Sequence, residues 1–491
     1  MSRALPVGGL DAAFLSCETP GMHMHVCGLV VLEPATTAEA TFCGIRTLLL
    51  DALARVPQLH QRLAPVPPGA GRPWWVDDAA FDMDRHLQRV SVSPPGDDAA
   101  LARLVGEFVG RPLRRDRPLW EAWFVDGLSG DRVALVAKMH HAIVDGVTGV
   151  AVMGRLFGFG APQGAVPGAE GPWRPQPSPG ALRLIGMGVV GRLRAPLEMA
   201  RLVPVTAGRL GATAWDLGTR GVHGGARALP FTAPRTSLNA VLTARRSVGY
   251  VAVPLDDVKA VKSAFGVKVN DVVAAVVGGA LRRYLEARGE LPERPLVAAE
   301  PMAVHAQVGG VAGVSKLSVM FSTLGTDVAD PAERLRTVAA SNARAKEVTR
   351  AMGSDTFVRW AEQIWPRSLA MGARLYARLH MAEHHPVMFN VLVSNVAGPP
   401  IDLYLAGNRV VATYAFGPII DGAGLNVTVL STGDQVGFGL MACPDVVPDV
   451  GALAASLPGA LDELVRAARP PRGGVRRPVA DGRPREPVWV R

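Results

Sequence analysis

Apolar residues recur along this chain in two ways, as short unbroken runs and at helical spacing. Residues 26–32 form an apolar run of strand length. Residues 38–56 place Ile45, Leu48, Leu49, Leu53 and Val56 on one face at helical spacing. Residues 99–109 predict a second helix. Residues 123–126 and 132–139 bracket Gly127-Leu128-Ser129-Gly130, a hairpin signal. Inside that hairpin, residues 133–137 read as a buried strand, and residues 147–157 after it as an apolar helix. A Pro/Gly-rich linker follows over 162–179. The second half begins near Leu238. It predicts a strand over 246–254, helices over 255–265 and 269–288, a helical stretch over 326–342, and buried strands over 391–394 and 426–432. No short-period repeat is visible.

Composition bounds this picture. A chain of 491 residues exceeds one ordinary core and should form two domains. With 48% hydrophobic and 19% charged residues it is globular rather than disordered. Cys17, Cys27, Cys43 and Cys443 make no Cys-x-x-Cys pair and no disulfide framework, which predicts reduced thiols in the cytosol. Asp11 and Glu18 interrupt any cleavable signal, and no stretch of about 18 uncharged apolar residues is present to span a membrane. The net charge of +9 is concentrated at the C-terminus, where arginines from Arg466 to Arg491 face only Asp481 and Glu486. That Pro/Gly-rich tail is expected to be disordered. It is either a solubilising end or an anchor for anionic lipid head groups. No zinc-finger spacing or RNP-like aromatic motif accompanies it, so nucleic acid is not an expected partner. Residues 181–210 carry Arg183, Arg192, Arg194, Arg201 and Arg209 on an apolar background. Such a segment lies in a membrane interface, or crosses between domains with its arginines reaching outward.

The chemistry concentrates after the strand at 133–137, in Lys138-Met139-His140-His141-Ala142-Ile143-Val144-Asp145-Gly146. Adjacent strand side chains point to opposite faces, so only one histidine serves a given cleft. One neutral imidazole there suits general base catalysis near pH 7. Two satisfied core histidines are the bland alternative. A metal site fits poorly, because the spacing is not His-Glu-x-x-His and no further ligands complete a shell.

This segment resembles the active-site motif of acyltransferases built like chloramphenicol acetyltransferase and the peptide-synthetase condensation domains. Other blocks narrow the resemblance to the bacterial wax ester synthase/acyl-CoA:diacylglycerol acyltransferase family. They are Leu10 to Leu15 with Met24-His25-Val26, Pro118-Leu119-Trp120-Glu121, Val269-Asn270-Asp271, and Val393-Ser394-Asn395-Val396 with Gly398-Pro399-Pro400. Asp421-Gly422 and Gly424-Leu425-Asn426 continue the series, and the resemblance spans roughly residues 5–465. Arg114, His305 and the loop Gly313-Val314-Ser315-Lys316 depart from the family's usual pattern and bear on acceptor preference.

The resemblance implies an α/β fold of mixed sheets, made of two chloramphenicol-acetyltransferase-like halves with a channel between them. The expected divisions are an N-terminal half over 1–161, a linker and crossover over 162–237, a C-terminal half over 238–465 and the basic tail over 466–491. It implies an acyl-CoA-dependent O-acyltransferase that esterifies diacylglycerol, or long-chain fatty alcohols to wax esters. His141 is then the base, while His140, Asp145 and Gly146 shape its turn. Asp145 is expected to pair with an arginine. Trp120, Asn270, Ser394 and Asn395 are candidate substrate contacts. Each also has a structural explanation: core packing for Trp120, a helix N-cap for Asn270, a strand-end turn for Ser394 and Asn395. Acyl-CoA is a co-substrate, with no cofactor and no metal, and the enzyme should meet its lipid substrate at a membrane or lipid-inclusion surface. Two rivals stand beside this reading: a catalytically silent lipid-inclusion or membrane-binding protein of the same fold, and an acyltransferase for carrier-bound or polyketide substrates.

Overall fold

A computed structural model describes residues 4–64, 71–143, 157–159, 173–177, 179–180, 204, 206, 208, 228–308, 311–352 and 366–469. A seven-stranded sheet runs, edge to edge, β5 (Leu87–Ser91), β6 (Trp120–Asp126), β7 (Val133–His140), β2 (His25–Glu33), β14 (Asn408–Phe416), β13 (Leu403–Leu405) and β8 (Phe157–Phe159). A six-stranded sheet runs β11 (Val311–Thr323), β10 (Val297–Val308), β12 (Val391–Ala397), β15 (Leu425–Thr432), β16 (Gln435–Ala442) and β9 (Ser247–Pro254). A small third sheet joins β1 (Leu5–Pro6), β4 (Trp74–Asp77) and β3 (Gln61–Ala64). Both large sheets are mixed: β5 runs parallel to β6, and β10, β12 and β15 run parallel to one another.

The unbroken apolar runs have a simple cause. On β2, Cys27, Leu29 and Val31 enter one core, while Val30 and Leu32 enter another on the opposite face. On β7, Ala134 and Val136 face the first core, Val133 and Leu135 the second. Strands buried on both faces have no polar side to alternate with. The first core also takes in the six-stranded sheet, so one apolar interior joins N- and C-terminal residues.

Nine helices complete the described residues. They are α1 (Gly9–Cys17), α2 (Ala38–Arg55), α3 (Asp98–Gly110), α4 (Leu255–Phe265), α5 (Val269–Glu286), α6 (Pro331–Met352), α7 (Pro366–Arg378), α8 (Val450–Ala455) and α9 (Leu457–Ala468). Thr37 and Asp97 cap α2 and α3 by accepting backbone N–H bonds from Ala40 and Ala100, at 3.2 and 2.8 Å. Gly266 ends α4 at φ +67°, a left-handed conformation that glycine adopts without strain. Among the described residues no single helix is long and apolar enough to cross a membrane.

The C-terminal half does not keep all its strands. After β12 the chain leaves the six-stranded sheet, and β14 adds to the seven-stranded one, antiparallel to β2 with Phe416 opposite Cys27. The chain then returns as β15. Where β14 passes β16, a Cβ on Gly437 would stand 2.4 Å from Thr413 O, and one on Gly439 2.1 Å from Ala415 O. Only glycine permits that approach.

Three expectations change. Phe157 opens β8 rather than ending a helix, and residues 147–156 before it lie outside the described set. The helix expected from Thr326 begins at Pro331. Thr326 Oγ1 instead accepts the N–H of Leu296 at 2.9 Å, and Asp330 accepts from Glu333 N–H at 2.8 Å where the helix starts. The long hairpin of β10 and β11 was not foreseen, because Glu300, Pro301 and His305 break its apolar pattern.

Candidate active site

β7 lies in the middle of its sheet, between β6 and β2, so its end is held from both sides. His140 is its last residue and sits opposite His25 of β2. The His140 N–H donates to Leu119 O at 2.9 Å, and the His141 N–H donates to Met24 O at 2.8 Å. His141 to Ile143 then form a single 3-10 turn. A strand that must stay in register thus delivers two histidines at a fixed place.

The two imidazoles have different surroundings. His141 is half-buried and lies against Phe14 of α1, ring centroids 4.4 Å apart and tilted by 37°. Burial pulls its pKa below the ordinary 6.5, and a backbone hydrogen bond opposes this. His141 is therefore neutral at neutral pH, the form that accepts a proton. His140 is almost fully buried, and its Nδ1 accepts the N–H of Ala142 at 3.0 Å. Its remaining proton must then sit on Nε2.

That Nε2 stands 3.3 Å from Glu18 Oε1, though not aligned as a hydrogen bond. Glu18 follows the last turn of α1 and gathers several partners. Met24 N–H donates to its Oε1 at 3.0 Å, Arg115 Nη2 donates to its Oε2 at 2.7 Å, and His25 Nε2 lies 3.5 Å from Oε1. Burial pushes the Glu18 carboxyl up, but the close approach of the His140 imidazole and the hydrogen bond from Arg115 hold it well below the usual carboxylate range. His25 is held neutral by its own burial, its pKa lowered to about 2. His23 stacks on His25 at 5.3 Å. Among the described residues no group of three or more His, Cys, Asp or Glu has the geometry to hold a metal ion.

Two buried cations brace the surroundings. Lys138 Nζ donates to Phe108 O and Arg111 O, both at 2.8 Å, at the C-terminal end of α3, where the helix dipole favours a positive charge. Glu121 Oε2 lies 3.5 Å away. Arg246, just before β9, donates to Gly21 O at 2.6 Å and so ties the loop before β2 to the C-terminal half.

The catalytic domain of wax ester synthase/diacylglycerol acyltransferases matches residues 7–273, and the C-terminal domain of the same family matches residues 315–465. The chain belongs to this family. A protein of Mycobacterium tuberculosis named as a diacylglycerol O-acyltransferase is 36% identical over 464 residues, covering 94% of this chain and 90% of the relative. A second from the same organism, with the same name, is 33% identical over 467 residues, covering 93% and 99%. The wax ester synthase/diacylglycerol acyltransferase structure from Marinobacter aquaeolei VT8 superposes with a TM-score of 0.67 at 27% identity, covering 94% of this chain and 99% of that one. The first condensation domain of the calcium-dependent antibiotic synthetase shares the fold, with a TM-score of 0.51 at 15% identity over 95% and 96% of the two chains.

Against this family frame, the other sequence-marked residues fall in two places. Trp120 is buried in the N-terminal core, stacks on His86 at 4.5 Å and donates its indole N–H to Leu59 O at 2.7 Å, so packing accounts for it. Asn270 is not the cap of α5. Lys268 is, with Asp271 Oδ2 accepting the Lys268 N–H at 2.9 Å. Asn270 instead donates to Glu300 Oε2 at 3.0 Å and accepts from Asn395 Nδ2 at 3.3 Å. The structure thus joins Asn270 to Asn395, next to half-buried Ser394 on β12. Glu300 also accepts from Ser322, and burial raises its carboxyl pKa against the hydrogen bonds of Ser322 and Asn270. No hydrogen bond links this cluster to the histidines among the described residues. Asp145 and Gly146, with the arginine pairing expected of Asp145, lie outside the described residues.

Glu18 was missed at the sequence level. Its signal was present: it is the only Asp, Glu, Lys or Arg between Asp11 and Glu33, in a segment containing His23 and His25.

Proposed function

We propose that this chain transfers an acyl group from acyl-CoA to the hydroxyl of diacylglycerol, with long-chain fatty alcohols as a second class of acceptor. Family membership supports the reaction class. The observation that carries the residue assignment is the neutral, half-buried imidazole of His141 at the end of a fixed strand. In this reading His141 takes the proton as the acceptor oxygen attacks the thioester carbonyl. The carbonyl oxygen becomes an oxyanion in the tetrahedral intermediate. The C–S bond then breaks, and the imidazolium returns its proton to the CoA thiolate, leaving an ester and free CoA. No covalent intermediate on the protein is required.

Asn270, Ser394 and Asn395 supply polar groups toward the acceptor or the oxyanion in this scheme, and a channel between the halves carries the two substrates to His141. Acyl-CoA is a co-substrate and the scheme uses no cofactor. The protein meets its lipid acceptor as a peripheral visitor to a membrane or lipid-inclusion surface. The deciding assay offers purified protein labelled acyl-CoA with diacylglycerol and with hexadecanol in separate reactions. Labelled triacylglycerol or wax ester supports the reading; hydrolysis alone, or no product with either acceptor, overturns it.

A further inference from the structure

α7 is unlike the other helices of the fold. None of its residues is fully buried. Leu369, Ala373, Tyr376 and Ala377 are half-buried on the side toward the protein, where α7 packs against α1. Met371, Leu375 and Leu379 recur every four residues, so they share one face. They are 69%, 54% and 53% exposed. Leu379 lies one residue past the helix, with its N–H bonded to Leu375 O at 2.9 Å, which continues the line.

The apolar surface extends beyond the helix. His385 touches Tyr376 of α7 and the ring of Phe231, and Phe231 N–H donates to Met388 O at 3.3 Å. Phe231 is 51% exposed and Met388 37%. Elsewhere on the described surface, exposed large apolar residues such as Leu5, Leu50 and Ile401 belong to separate elements. Single exposed apolar residues are ordinary, whereas a contiguous patch marks an interaction site.

Charge selects the partner. Arg367, Arg374 and Arg378 are spaced by seven and four residues and fall on one flank of the apolar line. All three are exposed, none has an ion-pair partner among the described residues, and residues 366–382 contain no Asp or Glu. A line of Met and Leu beside a line of exposed arginines matches an acyl layer edged by phosphates. We infer that α7, with Phe231 and Met388 beside it, is the surface by which this protein docks on an anionic phospholipid layer. The inference names a place for the lipid encounter in the proposed function. α1 connects the two: it packs on α7 and carries Phe14, whose ring touches His141.

The test uses the full-length protein and vesicles of phosphatidylglycerol or phosphatidylcholine. Two double variants are compared with wild type: Met371→Glu with Leu375→Glu, and Arg374→Glu with Arg378→Glu. Acyl transfer from acyl-CoA to a short, water-soluble alcohol and thermal unfolding are measured alongside, so vesicle binding is read apart from chemistry and folding. Wild type is expected to sediment with phosphatidylglycerol vesicles, and each folded variant to bind at least tenfold more weakly. The arginine variant should also lose most of the preference for phosphatidylglycerol. Wild-type sedimentation by both folded variants overturns the inference. So does a change in oligomeric state on light scattering without a change in vesicle binding, which would make the stripe a contact between copies. If the glutamate variants fail to fold, Met371→Ser with Leu375→Ser is read by the same criteria.

Discussion

Glu18 and His141 set the residue-scale expectations. His141→Ala should lower acyl transfer roughly 100-fold or more, the usual worth of a general base, with the fold intact. Turnover near the wild-type rate in the folded variant would reject His141 as the base. The sign of the pH dependence follows from burial: a base held below its ordinary 6.5 stays neutral at pH 7 and loses function only as pH falls through its lowered pKa. The acid limb of kcat/KM should therefore lie below pH 6.5 and vanish in His141→Ala. Glu18 acts one step away. Its charge faces the Nε2 of His140, and His140 Nδ1 holds the Ala142 N–H in the turn that carries His141. Glu18→Gln should cut kcat roughly tenfold, equivalent to ~1.4 kcal/mol, with KM for acyl-CoA little changed. The 15N shifts of His140 report its tautomer directly. An unchanged tautomer together with unchanged kcat would leave Glu18 with no part in positioning the turn.

At the scale of elements, legibility followed burial. Strands β2 and β7 are apolar on both faces and stood out as runs, and α4 was read to the residue. β10 and β11 escaped because long hairpin strands carrying Glu300, Pro301 and His305 have no apolar run to detect. The His-His pair was legible because two rare residues follow a buried strand. Its carboxylate partner was not, since the contact between Glu18 and His140 is made by tertiary folding and leaves no spacing rule. Gly437 and Gly439 belong to this scale as well. Gly439→Ala puts a methyl against Ala415 O, so β14 and β16 must move apart. A loss of at least ~1–3 kcal/mol is expected, the range for overpacking a tight contact, read as a lower midpoint in urea unfolding. A midpoint equal to wild type would show that the two strands separate freely.

For the whole molecule, the exchange of strands matters more than the division into halves. β14 is supplied by the C-terminal half yet pairs with β2, and one core runs through both large sheets. A fragment of residues 1–237 should therefore be insoluble or lack cooperative unfolding, because β2 would become an exposed edge that is apolar on both faces. Co-expression with residues 238–491 should restore soluble, cooperative protein. A stable, monomeric 1–237 fragment would contradict this. The same crossing has a consequence on the ribosome. The second partner of β2, β14, is not translated until some 270 residues after β7 has emerged, which at ~5–20 residues per second is roughly 15–50 s of synthesis. During that interval the nascent N-terminal sheet has an open, sticky margin. Translation speed and chaperone occupancy, rather than the final stability of the enzyme, then govern how much of it survives to be active.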